Sequence, residues 1–162
     1  MPGFLAGTVG TLFSPGANGK SFWALQAAIA IAGEGNDGTN LLEIQIEKYG
    51  KVVYIAAEDP GIVLWHRLQS IGKTLADNAV KTLMANLSIV PALGKGINIG
   101  EAEWQEKIID KFKKENIRLI VLDTLSRVHR LDENSNAEMA GLMQDMEMIA
   151  RYTKSAVLFL HQ

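Results

Sequence analysis

Lys20 and Ser21 close the stretch SPGANGKS, Ser14 to Ser21, and are the residues of this chain best suited to chemistry on a phosphate. A lysine and a hydroxyl side by side after a glycine is how a phosphate-binding loop ends. Such a loop turns tightly between a strand and a helix, so successive backbone N–H groups and the helix N-terminus face one anion. In that chemistry Gly19 lets the backbone approach phosphate, Lys20 reaches the β- and γ-phosphates, and Ser21 offers a hydroxyl to Mg²⁺. Pro15, Gly16, Ala17, Asn18, Gly19, Lys20 and Ser21 are therefore the candidate cradle. Ser14 stands where the motif has its first glycine, and Pro15-Gly16 supplies the turn one residue later. The plainer alternative is a glycine turn capped by a lysine. Context decides between them, and here a strand pattern precedes the loop and a helical pattern follows it.

Phosphoryl transfer also needs a carboxylate near Mg²⁺ and a group that activates water. The apolar run Leu119–Leu122 ends in Asp123, which delivers a carboxylate to the carboxyl end of a strand; the alternative is an aspartate capping a turn. The run Val52–Ala57 ends in Glu58-Asp59-Pro60. Asp59 reads as a helix cap before a proline at the first helical position, which leaves Glu58 as the candidate general base or a second solvated acid. The run Val157–Leu160 ends in His161 and Gln162, where a glutamine can hydrogen-bond a γ-phosphate or simply finish a strand.

The elements that must position these groups alternate. Apolar, β-branched bursts predict strands at Thr8–Phe13, Val52–Ala56, Leu87–Val90, Leu119–Leu122 and Ala156–Leu160. Helical patterns fall between them at Lys20–Ala32, Pro60–Ile71, Leu75–Ala85, Glu101–Glu115 and Ala137–Tyr152. The stretch Leu41–Lys48 is ambiguous between strand and helix. Near-continuous apolar strands separated by helices imply an α/β fold, a mostly parallel sheet flanked by helices. Met139, Leu142, Met143, Met146 and Ile149 fall at helical spacing and read as a core-facing stripe. Gly33–Gly38 spells GxGxxG, but it follows a helix and opens none, so it reads as a turn and not a dinucleotide site.

Composition narrows the classes. The 162 residues suffice for one domain, with 48% hydrophobic and 21% charged residues and a net charge of −2. No cysteine is present, which excludes disulfides and thiolate metal sites and fits a reducing compartment. The start MPGFLAGTVG lacks a signal-peptide pattern, and Phe22–Ala32, interrupted by Gln26, is too short to span a membrane. The expectation is a cytoplasmic protein with no membrane partner.

With four strand ends in place, the order GTLFSPGANGKS, VVYIAAEDP, RLIVLDTLSRVHRLDENS and AVLFLHQ resembles the RecA-like P-loop ATPase core. The resemblance is nearest to the hexameric replicative helicases of the plasmid RepA type, and includes His66-Arg67-Leu68. It implies ATP and Mg²⁺ as cofactors, Lys20 on the phosphates, and Ser21 and Asp123 at the metal. It further implies Glu58 as the water-activating glutamate, and His161 and Gln162 as the polar strand end that senses γ-phosphate and couples it to DNA. It places the strand carrying His161 between those carrying Lys20 and Asp123. Single-stranded DNA and a ring-shaped, hexameric homo-oligomer are the implied partners of the full-length form. A recombinase or regulatory ATPase of the same core, or a nucleotide-binding interaction module, are the other readings. Relatives continue past the equivalent of Gln162 with strands, a DNA-binding loop and an arginine finger, so residues 1–162 read as one C-terminally truncated domain. Arginine fingers are worth about 10³–10⁵ in rate, so such a piece is expected to bind nucleotide better than it hydrolyses it.

The remaining charged residues carry less. Arg67, Arg127 and Arg130 are candidates for nucleotide or subunit contact, or else surface and ion-pair residues. His66, His129 and His161 lack company at ligand spacing, so no zinc site is expected. Lys107, Lys111, Lys113 and Lys114 read as a solvated helix face.

Overall fold

A computed structural model describes residues 4–15, 19–132 and 134–161. Its elements, in chain order, are β1 (Val9–Phe13), α1 (Lys20–Ala32), β2 (Lys51–Ala56), α2 (Gly61–Gly72), α3 (Asp77–Asn86), β3 (Leu87–Pro91), α4 (Ala102–Glu115), β4 (Ile117–Asp123), α5 (Asn136–Thr153) and β5 (Ala156–His161). A short 3₁₀ turn, Leu125–Arg127, follows β4. The stretch Leu41–Lys48, ambiguous from sequence, is neither strand nor helix.

The five strands form one sheet in the order β1-β5-β4-β2-β3, with every neighbouring pair parallel. Because all strands run one way, all their carboxyl ends lie on one edge. The register aligns them closely: Phe13 pairs with His161, and Ala56 with Asp123.

Side-chain alternation divides the sheet into two cores. Val53, Ile55, Ile120, Leu122, Val157 and Phe159 meet Ile108 and Phe112 of α4 and Leu142, Met146 and Ile149 of α5. Val52, Tyr54, Ala56, Leu119, Val121, Leu158 and Leu160 meet Ala24, Leu25, Ala28 and Ile29 of α1 and Leu64 of α2. The methionine stripe is a core face as expected: Met146 is fully buried, and Met139 and Met143 pack against the same cluster.

Local chemistry sets the element ends. Gly19 precedes α1 at φ +74°, a left-handed conformation that costs glycine nothing and other residues dearly. Helices α4 and α5 end on Asn116 and Lys154, both at φ 55°. Ser135 caps α5 by accepting from the Glu138 N–H, while Glu138 accepts from the Asp132 N–H at 2.7 Å. Lys107 pairs with Glu103 at 2.6 Å and lies over Trp104, and with exposed Lys111, Lys113 and Lys114 it forms the solvated face expected for α4.

The GxGxxG stretch is structural. A Cβ on Gly33 would come within 2.5 Å of the buried Thr39 side chain, whose hydroxyl donates to the Asn36 carbonyl at 2.6 Å. The run is thus a folded-back turn sealing the end of α1. Gly33→Ala is expected to lower unfolding stability by about 1–3 kcal/mol, the usual range for overpacking. Urea denaturation checks this; an unchanged midpoint would show that Thr39 yields without cost.

Candidate functional site

The carboxyl edge of the sheet gathers the residues singled out from sequence. Asp123 ends β4 on the face that holds Leu119 and Val121, and that face looks toward α1. The first turn of α1 meets it there: the Ser21 hydroxyl donates to Asp123 Oδ1 at 2.9 Å, joining residues 102 positions apart. Lys20 is 8% exposed, and its ammonium is turned back on the loop. It donates to the Ser14 carbonyl at 2.7 Å, the Pro15 carbonyl at 3.1 Å and Ser14 Oγ at 3.3 Å. Ser14, which replaces the first glycine of the motif, thus contributes backbone and side-chain oxygens to the lysine. Gly16, Ala17 and Asn18, also expected in the cradle, lie outside the described residues, as does Gln162.

Glu58 stands one strand over. The Ala57 N–H donates to the Asp123 carbonyl at 2.6 Å, and the next residue, Glu58, is exposed at the same edge. Asp59 does not cap α2 as expected. The helix begins at Gly61 with Pro60 at its N-cap, whose carbonyl accepts from the Val63 and Leu64 N–H groups. The reason lies in Arg67, two turns into α2, whose guanidinium takes the Asp59 carboxylate in a charge-assisted bond. Arg67 is thereby assigned to a local ion pair, one of the alternatives the sequence left open. Arg127 and Arg130 are exposed.

His161 reaches the same edge but by alternation continues the Val157–Phe159 row, on the face toward α4 and α5. Its ring lies 5.8 Å from that of Phe13, its register partner on β1. The structure therefore joins Ser21 directly to Asp123 with Lys20 next to Ser21 in the chain, sets Glu58 at the same edge, and keeps His161 a strand away.

Sequence reasoning missed Tyr54. In VVYIA it reads as one more buried strand residue, and it is 1% exposed among Ala24, Leu25 and Val121. Its hydroxyl nevertheless donates to Asp123 Oδ2 at 2.5 Å and lies 3.2 Å from the Ser21 carbonyl. The available signal was chemical: a phenol in a buried strand needs a partner. Burial, reinforced by the Asp123 charge and this hydrogen bond, keeps the phenol protonated far above its ordinary range.

Electrostatics at Asp123 oppose one another. Burial raises its carboxyl above the ordinary range, the hydrogen bonds from Tyr54 and Ser21 pull it down, and the charges of Glu58 and Asp59 raise it again. The donor set that a metal would meet is one hydroxyl and one carboxylate, both hard oxygen ligands. Among the described residues no group of three or more His, Asp or Glu side chains is arranged to hold a metal ion. That set suits Mg²⁺, which takes one or two protein oxygens and completes its shell with phosphates and water.

Residues 1–162 match the family described as an AAA domain. The crystal structure of the RadB recombinase superposes with a TM-score of 0.56 at 22% identity, covering 99% of this chain. The chain spans 63% of the RadB chain's length. That likeness establishes a RecA-like fold, with its parallel sheet and flanking helices. Among the described residues no helix is long and apolar enough to cross a membrane.

Because its carboxyl is raised on folding, ionised Asp123 costs stability that a neutral amide would not. The native state holds the proton more tightly than the unfolded chain, so this cost is complete above the raised pKa and fades as pH falls toward the ordinary carboxylate value. Asp123→Asn is expected to raise the nucleotide-free Tm at neutral pH by about 2–4 °C per kcal/mol recovered. The gap to wild type should narrow in acid. Thermal scans across pH check both signs; a variant less stable than wild type at pH 7 would refute the assignment.

Proposed function

Since the chain belongs to the AAA domain family of ATPases, we propose that Lys20, Ser21, Asp123 and Glu58 bind and hydrolyse Mg²⁺–ATP to drive work on DNA. The Ser21–Asp123 hydrogen bond carries this reading, because it brings the two motif ends into one site at the residue after Lys20. Lys20 holds its charge against loop carbonyls. The phosphates of ATP are stronger acceptors for it, so binding exchanges neutral partners for charged ones. Gly19 and the α1 N-terminus add backbone donors and partial positive charge. Ser21 and Asp123 would hold Mg²⁺, which when bound neutralises charge developing on the phosphate oxygens. Glu58 accepts the proton of the attacking water. It is exposed and so reachable by solvent, while its backbone is tied to Asp123 through the Ala57 N–H.

His161 and Gln162 are the proposed γ-phosphate sensor, coupling hydrolysis to bound single-stranded DNA in a hexameric ring of the RepA helicase type. A cytoplasmic location accompanies this reading. The motif order and His66-Arg67-Leu68 support the helicase form. The likeness to the RadB recombinase supports a second reading, a strand-pairing ATPase on the same core.

Calorimetric titration with a non-hydrolysable Mg²⁺–ATP analogue tests the site. Lys20→Ala is expected to weaken binding on the order of 10–100-fold, the equivalent of a charge-assisted contact of about 1.5–3 kcal/mol. Glu58→Gln is expected to bind like wild type while its turnover falls by about 10²–10⁴-fold. Equal affinity in wild type and Lys20→Ala would remove the phosphate site; normal turnover in Glu58→Gln would remove the base. A forked DNA duplex then separates the two readings. Strand release in ATP marks a helicase, and pairing of complementary strands without release marks a recombinase.

A further inference from the structure

Tyr54 is none of the residues assigned to bind phosphate, metal or water, yet its hydroxyl binds the proposed metal carboxylate. Its ring is buried against Ala24, Leu25 and Val121, and only its hydroxyl leaves that apolar cluster. The hydroxyl lies 2.5 Å from Asp123 Oδ2, while Ser21 occupies Oδ1 at 2.9 Å, so each carboxylate oxygen has its own donor. Two donors on opposite oxygens fix the plane of a carboxylate, which one donor leaves free to swing about its Cβ–Cγ bond.

The two donors differ in what they must do. Ser21 would also be the hydroxyl ligand of a bound metal, so its hold on Oδ1 would be shared with that role. Tyr54 lies beneath the site on the neighbouring strand. At 1% exposure it serves the site from below and not from the solvent side. It also approaches the Ser21 carbonyl at 3.2 Å, so one phenol registers β4 against the first turn of α1.

We propose that Tyr54 is a positioning residue for the divalent cation, its hydroxyl holding Asp123 in the orientation that lets Asp123 and Ser21 share one ion. This rests on the nucleotide reading above and adds to it a determinant of metal affinity that never meets nucleotide. A tyrosine that merely filled the core would contribute to the fold and leave metal and nucleotide affinities in fixed proportion. The positioning role separates them.

Tyr54→Phe keeps the ring and removes only the hydroxyl oxygen. ADP affinity is measured by calorimetry for wild type and Tyr54→Phe, in EDTA and across a series of Mg²⁺ concentrations. The expected result is metal-free ADP affinity within about twofold of wild type, with the Mg²⁺ concentration that half-saturates the tightening raised about 10–100-fold, as for other partners of metal ligands. An unchanged Mg²⁺ midpoint overturns the proposal. So does a parallel loss of metal-free and metal-dependent affinity, which is the mark of a structural lesion. If wild type binds ADP with no Mg²⁺ response, or does not bind it, the nucleotide reading itself fails and this inference falls with it.

Should Tyr54→Phe not fold, wild-type protein carrying 3-fluorotyrosine supplies a second readout. Tyr49 and Tyr152 are exposed at 42% and 56%, so the buried Tyr54 resonance is the one protected from a soluble paramagnetic agent. That resonance is expected to move when Mg²⁺ joins bound ADP. Its indifference to Mg²⁺ would overturn the proposal.

Discussion

Asp123 is an ionisable group held at 2% exposure at the end of an apolar strand, and much of the surrounding edge follows from what such a group requires. A buried carboxylate without donors is too costly to keep. Ser21 and Tyr54 supply them from two different elements, which fixes where those elements must be. Tyr54 sits on the face toward α1 only because β2 lies beside β4 with Ala56 opposite Asp123. Ser21 arrives only because α1 starts directly above the sheet, which in turn needs Gly19 in the left-handed region to turn the loop into the helix. One hydrogen-bonded carboxylate thus constrains a strand pair, a helix start and a glycine.

The parallel arrangement makes this possible and sets its limits. An all-parallel sheet buries both faces, so its interior strands read as unbroken apolar runs, and polar chemistry is confined to their ends. β4 obeys this closely: Leu119 to Leu122 feed the two cores alternately and Asp123 is the first polar residue after them. β5 shows the other consequence. Period-2 alternation sends His161 to the side of Val157 and Phe159, beside Phe13, while Asp123 looks toward α1. Two residues at one edge can therefore belong to different faces of the sheet.

Wherever position in the fold was written in residue type and order, the sequence was readable. The strands, the helices and the Lys20–Ser21–Asp123 grouping all follow from apolar runs that end in polar residues, a pattern that survives folding because it is dictated by burial. The turn at Gly33–Gly38 was readable for the same reason, since what precedes it is helix. What could not be read was the choice among competing local partners. Asp59-Pro60 satisfies every local rule for a helix start, but Arg67 outbids the backbone amides with a charge. Tyr54 shows the converse, a residue whose composition says core and whose one oxygen says site. Nothing along the chain reports that Tyr54 lies across from β4, because that adjacency is a property of strand order. The structure likewise adds Ser14 as an acceptor for Lys20, where the motif had suggested only a substitution.

The contrast between Asp123 and Glu58 shows how one edge can hold two carboxylates without making them equivalent. They end adjacent strands and are joined by the Ala57 N–H to the Asp123 carbonyl, yet one is buried with both oxygens occupied and the other is exposed. A metal ligand benefits from burial, because low dielectric strengthens its attraction for a cation and hydrogen bonds keep it oriented. A proton acceptor benefits from access, because it must meet water and then release the proton it takes. In the roles proposed for them, exchanging the two environments would defeat both: a buried Glu58 could not return its proton to solvent, and an exposed Asp123 would hold a cation no better than any surface acid. The two-residue difference in where the β2 and β4 segments give up their polar ends is what separates them. Ala57 extends β2 past the level of Asp123 and carries Glu58 out of the core.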